Sequence, residues 1–236
     1  MKNSILLLAV VAMVFSSCYK VIGDGPVVTE MRPVNNFDGI SSSIPGNVNF
    51  TVEPVFRVEV KAQENVLEVL QTKVVNGVLE IGFRNGVNVK THKEITVNVS
   101  APTADYLRIS GSGNMNVTGE LVSSNLGMNV SGSGNVNIEK ITIANELESG
   151  ISGSGNMKIA TGTAKNLDLQ VSGSGAIDLA GVQAEKGTTH ISGSGNIKLN
   201  LSQTLNAHIS GSGSVFYLGT PVISTQISGS GRVMPL

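Results

Sequence analysis

Histidines are the residues best suited to acid–base or metal chemistry in this chain of 236 residues, which has three. His190 and His208 occupy equivalent positions in two neighbouring copies of a repeat, whereas His92 lies outside the repeats. Two imidazoles on adjacent strands could share a metal ion. No carboxylate is expected in the same column, so we interpret the pair as two exposed histidines that share a column by coincidence. We predict no metal and no cofactor.

Carboxylates and serines are the other candidates for catalysis. Some parallel β-helix enzymes that cleave polysaccharides use aspartates on neighbouring rungs, but here Asp178 is flanked by Lys158 and Lys198, and Asp168 falls in a different column. We interpret the three residues as a charge ladder. A serine nucleophile would need a strand-to-helix turn and a partner histidine. We therefore predict a protein that is not an enzyme, and keep a lyase or hydrolase acting on polysaccharide as the alternative.

The serines belong to a repeat that dominates the second half of the chain. Ser-Gly-Ser-Gly occurs seven times, at steps of 21, 21, 20, 20, 18 and 18 residues. A near-constant period of this length indicates a solenoid of stacked rungs. The copies begin at Ser110, Ser131, Ser152, Ser172, Ser192, Ser210 and Ser228.

Apolar residues in each repeat fall on alternate positions. The residue before every motif is isoleucine or valine, as at Ile109 and Val130, and the following apolar residues share its parity. Alternation predicts extended chain with one buried face. The fold class is therefore all-β, a single-stranded parallel β-helix (β-solenoid) of about seven rungs. The sequence leaves its handedness open, and the usual rule for parallel crossovers favours a right-handed one. Rungs about 4.8 Å apart give a stack of roughly 29 Å. Both motif glycines share the apolar parity, which predicts that they point inward at a corner or a narrow waist.

Both motif serines and the following asparagine have the opposite parity and are predicted to face solvent as one flat, uncharged surface. Stacked asparagines can hydrogen-bond from rung to rung. We predict an adhesin-like binding or scaffold module of the cell envelope. Our hypothesis is that this surface binds a glycan or another envelope polymer; the alternatives are that the columns only stabilise the stack and that the protein is a structural spacer in the envelope. The candidate binding residues are Ser110, Ser112, Asn114, Ser131, Ser133, Asn135, Ser152, Ser154, Asn156, Ser192, Ser194 and Asn196.

The part before the repeats is β-rich and lacks the motif. We assign residues 18–29 to a linker, 30–105 to an N-terminal β-rich segment that caps the first rung, and 106–236 to the solenoid. Residues 40–50 are interpreted as a degraded rung, and a short helix is predicted around Glu64 to Thr72. At the other end, Arg232 and Pro235 are expected to protect the last strand from pairing with another chain.

The first residues indicate export. Residues 1–17 combine one lysine, an apolar run too short to span a bilayer, and small residues before the sole cysteine, Cys18. The pattern resembles a bacterial lipobox and predicts a signal peptide, a lipid anchor at Cys18 and the membrane as a partner. Tyr19 in the next position favours the outer membrane, with its periplasmic and surface faces both open. The formal net charge of −1 argues against a nucleic-acid partner, and oligomeric state is left open.

The order of several segments resembles a known family. Residues 31–40, Glu64-Asn65-Val66, residues 75–81, and Ala101-Pro102 leading through Leu107-Arg108-Ile109 into the first repeat are similar to the bacterial family called putative auto-transporter adhesin, head GIN domain. The resemblance covers about residues 30–236. It implies lipid-anchored or secreted β-solenoid proteins of the Bacteroidetes with an adhesion role, and it defines no catalytic residues.

Overall fold

Extended chain dominates the computed structural model, which describes residues 19–90 and 92–236 of the protein. Strands account for 75% and helix for 2%. The parallel strands stack into a β-solenoid of about six turns, which confirms the predicted fold class and lies close to the predicted seven rungs. Cys18 and the predicted signal peptide lie outside the described residues.

The N-terminal part consists of short strands and one single-turn helix. Its elements are β1 (Tyr19–Ile22), β2 (Val27–Arg32), β3 (Gly39–Ser42), β4 (Asn47–Val52), β5 (Arg57–Gln63), α1 (Glu64–Leu67), β6 (Leu70–Val75), β7 (Val78–Phe83), β8 (Val87–Lys90) and β9 (Thr96–Ala101).

The repeats form longer strands that follow the rung around its corners. They are β10 (Tyr106–Gly111), β11 (Asn114–Gly132), β12 (Asn135–Gly153), β13 (Asn156–Gly173), β14 (Ala176–Gly193), β15 (Asn196–Gly211), β16 (Ser214–Gly219), β17 (Val222–Gly229) and β18 (Arg232–Pro235).

Equivalent residues of successive repeats pair in parallel register, as the sequence predicts. Ile109 pairs with Val130, and the first glycines Gly132, Gly153 and Gly173 lie in one line along the stack. The alternate apolar positions are buried, and together they form one continuous core along the solenoid. Burial of this row is what selects the register, because a slip by one residue would turn every apolar side chain toward solvent.

The two glycines of each motif have different roles, which corrects the prediction that both point inward. The second glycine is buried in every copy but the last, whereas the first is half-buried or exposed and has φ between 113° and 130°. The chain bends at the serine between them, so the predicted corner is present. A Cβ atom at Gly155 would overlap with the carbonyl oxygen of Gly134 in the preceding rung. Contact between rungs along the stack, rather than the opposite wall, therefore requires glycine here.

The first glycine also supplies the hydrogen-bond acceptor that joins successive corners. The Gly132 carbonyl accepts the backbone N–H groups of Ser154 at 2.9 Å and Gly155 at 3.1 Å, and the other copies repeat this arrangement. Such pairing satisfies backbone groups that the bend removes from the strand ladder.

The degraded rung proposed for residues 40–50 is present. Strand β3 pairs in parallel with β10, and β4 pairs in parallel with β11, so Gly46 occupies the place of a motif glycine beside Gly113. A further rung lies beneath it, because β3 and β4 also pair in parallel with β7 and β9. Rung order thus differs from chain order: residues 39–52 lie between residues 78–101 and the first repeat.

Antiparallel strands line the N-terminal end of the stack. Strand β6 pairs with β7, and β5 lies between β9 and β2, so the β-rich segment covers the first rung. The helix is shorter than predicted: α1 ends at Leu67, and residues from Leu70 onward form β6. Residues 19–29, which the sequence assigns to a linker, include β1, paired with β8, and the beginning of β2.

Candidate ligand-binding surface

The corner divides the predicted flat surface into two faces. The first serine of each motif ends the stretch before the bend, the second serine lies at the bend, and the asparagine begins the stretch after it. Side chains at these positions are exposed or half-buried, as at Ser152, Ser154 and Asn156. Serine and asparagine columns therefore face different directions, which the parity of the sequence alone does not reveal.

Asparagine side chains form a continuous ladder on the stretch after the bend. Asn156 Nδ2 donates to Asn135 Oδ1 at 2.9 Å, Asn135 donates to Asn114 at 2.8 Å, and Asn114 donates to Asn47 at 3.1 Å. Glu94 accepts the last bond, from Asn47, at 2.6 Å. All the amides point in one direction along the stack, and a carboxylate accepts the final N–H.

A second ladder runs two residues further along each rung. Asn137 donates to Asn116 at 3.1 Å, and Asn116 donates to Asn49 at 3.5 Å. The ladder continues through Asn98 and ends at Glu59, which again is a carboxylate: its bonds are Asn49 to Asn98 at 3.0 Å and Asn98 to Glu59 at 3.1 Å.

Asn196 stands apart from the first ladder, because Ala176 separates it from Asn156. Its Oδ1 accepts the backbone N–H of Ser214 at 3.2 Å. The asparagine amides are thus largely committed to one another or to the backbone, and they contribute to holding the rungs in register.

The serine hydroxyls behave differently from the amides. Within the described part of the chain, Ser110 is the one motif serine whose side chain has a hydrogen-bond partner, Arg108 Nε at 3.2 Å. A hydroxyl is both a donor and an acceptor. The remaining motif serines therefore present a regular column of hydroxyls available to solvent or to a ligand.

The first serines line one side of a shallow groove that runs along the stack. Two depressions of about 500 and 430 Å³ meet at Gln170 and follow the same face from Tyr106 to Ser228. We call this the serine groove. The column beside the serines consists of Arg108, Asn129, Gly150, Gln170, His190, His208 and Gln226.

Two glycines keep one half of the serine groove open. The Tyr106 ring lies over Gly127, 3.4 Å from where a Cβ atom would be, and the Asn129 Oδ1 lies 3.0 Å from the Cβ position of Gly150. Larger residues at these two positions would displace the tyrosine and the amide. Neither glycine has a positive φ, so space rather than backbone conformation is what they provide.

The two histidines lie on adjacent rungs in the other half of the groove. Their rings stack in parallel, with centroids 4.8 Å and planes 7° apart, and His208 Nδ1 lies 3.0 Å from Gln226 Oε1. The prediction that both histidines lie in one column is confirmed. Among residues 19–90 and 92–236, no group of three or more histidine, cysteine, aspartate or glutamate side chains is arranged to hold a metal ion.

Acidic side chains flank the serine groove on one side. Glu148 and Asp168 lie in register on adjacent rungs, in the outward column next to Gly150 and Gln170. The pairing of Asp168 with Glu148 was not predicted, although both residues stand four positions before a motif serine. Two carboxylates so placed make this edge of the groove negative.

Other charged groups lie away from the groove. Lys158, Asp178 and Lys198 occupy adjacent rungs as predicted, with Lys198 Nζ 3.8 Å from Asp178 Oδ2. Glu120 accepts a hydrogen bond from Thr142 at 2.7 Å and pairs with Lys140 at 3.0 Å. These two contacts lower the pKa of Glu120. The pairs strengthen the register rather than assemble a site.

Comparisons with known proteins agree with this architecture. The model of the family described as "putative auto-transporter adhesin, head GIN domain" matches residues 36–221. None of the curated proteins matches the chain in sequence. No helix of the described residues is long and apolar enough to cross a bilayer.

Several solved structures have the same fold. A "putative adhesin" from Bacteroides fragilis has a TM-score of 0.85 at 24% identity, over 92% of this chain and 100% of its own. A "putative lipid binding protein" from Parabacteroides distasonis has a TM-score of 0.76 at 25% identity, over 92% and 99%. A "putative adhesin" from Parabacteroides merdae has a TM-score of 0.72 at 21% identity, over 92% and 99%.

Proposed function

The chain belongs to the putative auto-transporter adhesin, head GIN domain family, and from this premise we propose that it is a non-enzymatic adhesion module of the cell envelope. Its ligand in this proposal is a glycan or a similar envelope polymer, bound on the outside of the solenoid. The family and the structural neighbours named as adhesins suggest an extracellular or envelope location.

One observation carries the proposal. The serine groove presents a column of hydroxyls without hydrogen-bond partners, whereas the asparagine side chains hydrogen-bond to one another from rung to rung. Repeated weak hydrogen bonds from a rigid array gain strength from multivalency. A polymer with a repeating polar unit is the kind of ligand that engages such an array along its length.

The arrangement of the carboxylates supports binding without catalysis. Hydrolysis of a glycosidic bond generally needs two carboxyl groups that flank the bond, one of them as general acid. Glu148 and Asp168 instead lie in one column on one side of the groove. A ligand in the groove would meet both carboxylates from the same direction.

Export and anchoring complete the proposal and rest on the sequence. Cys18, which lies outside the described residues, would carry the lipid after removal of residues 1–17. Incorporation of an alkyne-labelled fatty acid into the full chain, and its loss in Cys18→Ala, tests the anchor. Protease treatment of intact cells distinguishes the periplasmic from the surface face.

Adhesion is tested with cells that encode the chain. Cells with and without the gene are allowed to settle on surfaces coated with neutral or acidic polysaccharides or left uncoated, and attached cells are counted. We expect attachment to coated surfaces to fall when the gene is deleted and to return with a plasmid copy. Equal attachment by both strains on every surface would contradict the proposed function.

The second candidate function is cleavage of a polysaccharide by a hydrolase or a lyase, for which Glu148 and Asp168 are the carboxylates available beside the groove, although both lie on one side of it. Incubation of the full chain with each polymer, followed by measurement of new reducing ends, distinguishes the two functions. We expect no release above that of Glu148→Gln. Release that disappears in this variant would establish the enzyme instead.

A further inference from the structure

The geometry points to an uncharged, linear polysaccharide as the ligand of the serine groove, lying parallel to the stack axis across several rungs; this inference rests on the proposed adhesion function and deepens it. The groove extends across the rungs from Tyr106 to Ser228, and the first serines that line it have no hydrogen-bond partner among the described residues. Four features favour this ligand: hydrogen-bonding chemistry, period, ring faces and charge.

Hydrogen-bonding chemistry favours a ligand made of hydroxyls. The serine side chains and the amides of Asn129 and Gln170 each combine donor and acceptor groups. Within the described residues, neither of these two amides has a hydrogen-bond partner, in contrast to the ladder asparagines. Sugar hydroxyls are also donors and acceptors, so every contact can be made in either direction.

Period and backbone pairing favour a polymer that is not a peptide strand. Serines recur once per rung, at the spacing of parallel strands, about 4.8 Å. The backbone groups of the inner rungs already pair with the rungs on both sides, as in the bonds between β12, β13 and β14. A peptide added to this face finds no free sheet edge, whereas a sugar chain needs only side-chain partners.

Flat ring surfaces lie at both halves of the groove. Tyr106 lies over Gly127 at one end, and the stacked rings of His190 and His208 lie toward the other. Tyrosine and histidine present an apolar ring together with a polar tip. Because His190 and His208 stack on each other, the faces that they turn toward one another are covered. A pyranose ring can pack its apolar face against Tyr106 and against the outer side of the histidine pair while its hydroxyls bond to the serines.

The charges beside the serine groove disfavour the binding of acidic polymers. From Asn129 to Gln226 the lining of the groove contains no aspartate, glutamate, lysine or arginine, and Arg108 is its one permanent cation, at one end. Glu148 and Asp168 flank the same stretch. A polyanion would be repelled there at low ionic strength, so neutral polysaccharides are preferred over uronic-acid polymers.

The test is affinity electrophoresis of the full chain in a non-ionic detergent, in native gels that contain one polysaccharide each. The probes are a β-1,4-mannan, a β-1,4-xylan, an α-1,4-glucan and, as the charged counterpart, polygalacturonate. We expect at least one neutral polymer to retard the protein and polygalacturonate to leave its mobility unchanged.

Variants assign the binding to the groove. The triple variant S131A/S152A/S172A removes three first serines, and Gly150→Ile fills the groove between Asn129 and Gln170. We expect each to raise the dissociation constant at least tenfold. The matched control S133A/S154A/S174A removes serines of the same motifs at the bend, outside the groove, and should bind within twofold of the unaltered chain. Thermal unfolding verifies that every variant is folded.

The outcomes separate this inference from the proposed function. Binding that survives both groove variants, or that is lost equally in the control, would show that the serine groove is not the binding site. Neither result would contradict the proposed adhesion function. Stronger retardation by polygalacturonate overturns the uncharged ligand, and retardation by none of the neutral polymers overturns the inference as a whole. Attachment of intact cells decides the proposed function independently.

Discussion

Gly155 lies directly against Gly134 of the preceding rung, so closely that a Cβ atom on Gly155 would overlap with the Gly134 carbonyl oxygen. Because φ of Gly155 is not positive, the restriction is steric, and the same Cβ atom would also lie 2.6 Å from Val130 Cγ1. The same relationship recurs from rung to rung, for example at Gly175 and Gly155. Close approach of the corners thus sets how tightly the rungs stack.

Gly155→Ala should destabilise the solenoid. The added methyl group must push two rungs apart against a backbone atom that cannot rotate away, and overpacking of this kind costs about 1–3 kcal/mol. The measurement is the free energy of unfolding from urea titration. Gly150→Ala is the matched control, since its Cβ would meet only the movable Asn129 side chain. It should be neutral or slightly stabilising, and equal losses in both variants would contradict the role of the corner.

Asn135→Ala should destabilise the protein through loss of the ladder. Asn135 donates to Asn114 and accepts from Asn156, so the change removes two side-chain hydrogen bonds. Each is worth about 1 kcal/mol in net terms. Asn129→Ala, on an exposed asparagine without such bonds, should change stability by less than about 0.5 kcal/mol. Comparable midpoints of urea unfolding for the two variants would show that the ladder does not stabilise the stack.

Thr189→Val should stabilise the protein. Thr189 is 0% exposed, and its hydroxyl has no hydrogen-bond partner in the described residues. Leaving a buried hydroxyl unpaired costs about 1–3 kcal/mol, so an apolar side chain of the same shape removes a penalty. Thr188→Val, on the outward neighbour, provides the surface control. A lower melting temperature for Thr189→Val than for the unaltered chain would refute this reading of the core.

Asp105→Asn should stabilise the protein at neutral pH. Partial desolvation raises the pKa of the Asp105 carboxyl, although the residue as a whole is exposed, and the charge of Asp38 raises it further. A carboxyl with a raised folded pKa lowers stability as pH rises from its unfolded value, about 3.9, through the folded value. The gain in melting temperature should therefore be present at pH 7 and disappear near pH 3.

The Asp38→Asn background separates the two causes of that shift. With the neighbouring charge removed, the gain from Asp105→Asn should become smaller but not vanish, because the partial desolvation remains. A gain that stays constant from pH 3 to pH 7 would mean that ionisation of Asp105 is not its origin.

The local alternation of apolar residues was sufficient to predict the rungs formed by the repeats. It failed in the N-terminal part, where the order of rungs in the stack differs from their order along the chain. Residues 40–50 could be recognised as a rung because they keep the alternation and the glycine, here Gly46. The rung formed by β7 and β9 could not, because residues 84–95 interrupt it and its partners come earlier in the chain. The helix was overpredicted for a similar reason: Leu70 onward pairs with β7, and tertiary pairing outweighs a local apolar stripe.

The sequence by itself determined the period, the parity and the register, because burial of one apolar row admits only one alignment of Ile109, Val130 and their equivalents. Only the tertiary structure decided which way each polar column faces. That depends on a bend at the second serine of each motif, which accompanies the positive φ of glycines such as Gly132 and the close approach of the motif glycines to the preceding rung. The bend separates the asparagines, which hydrogen-bond to one another, from the serines without hydrogen-bond partners, and so creates the groove.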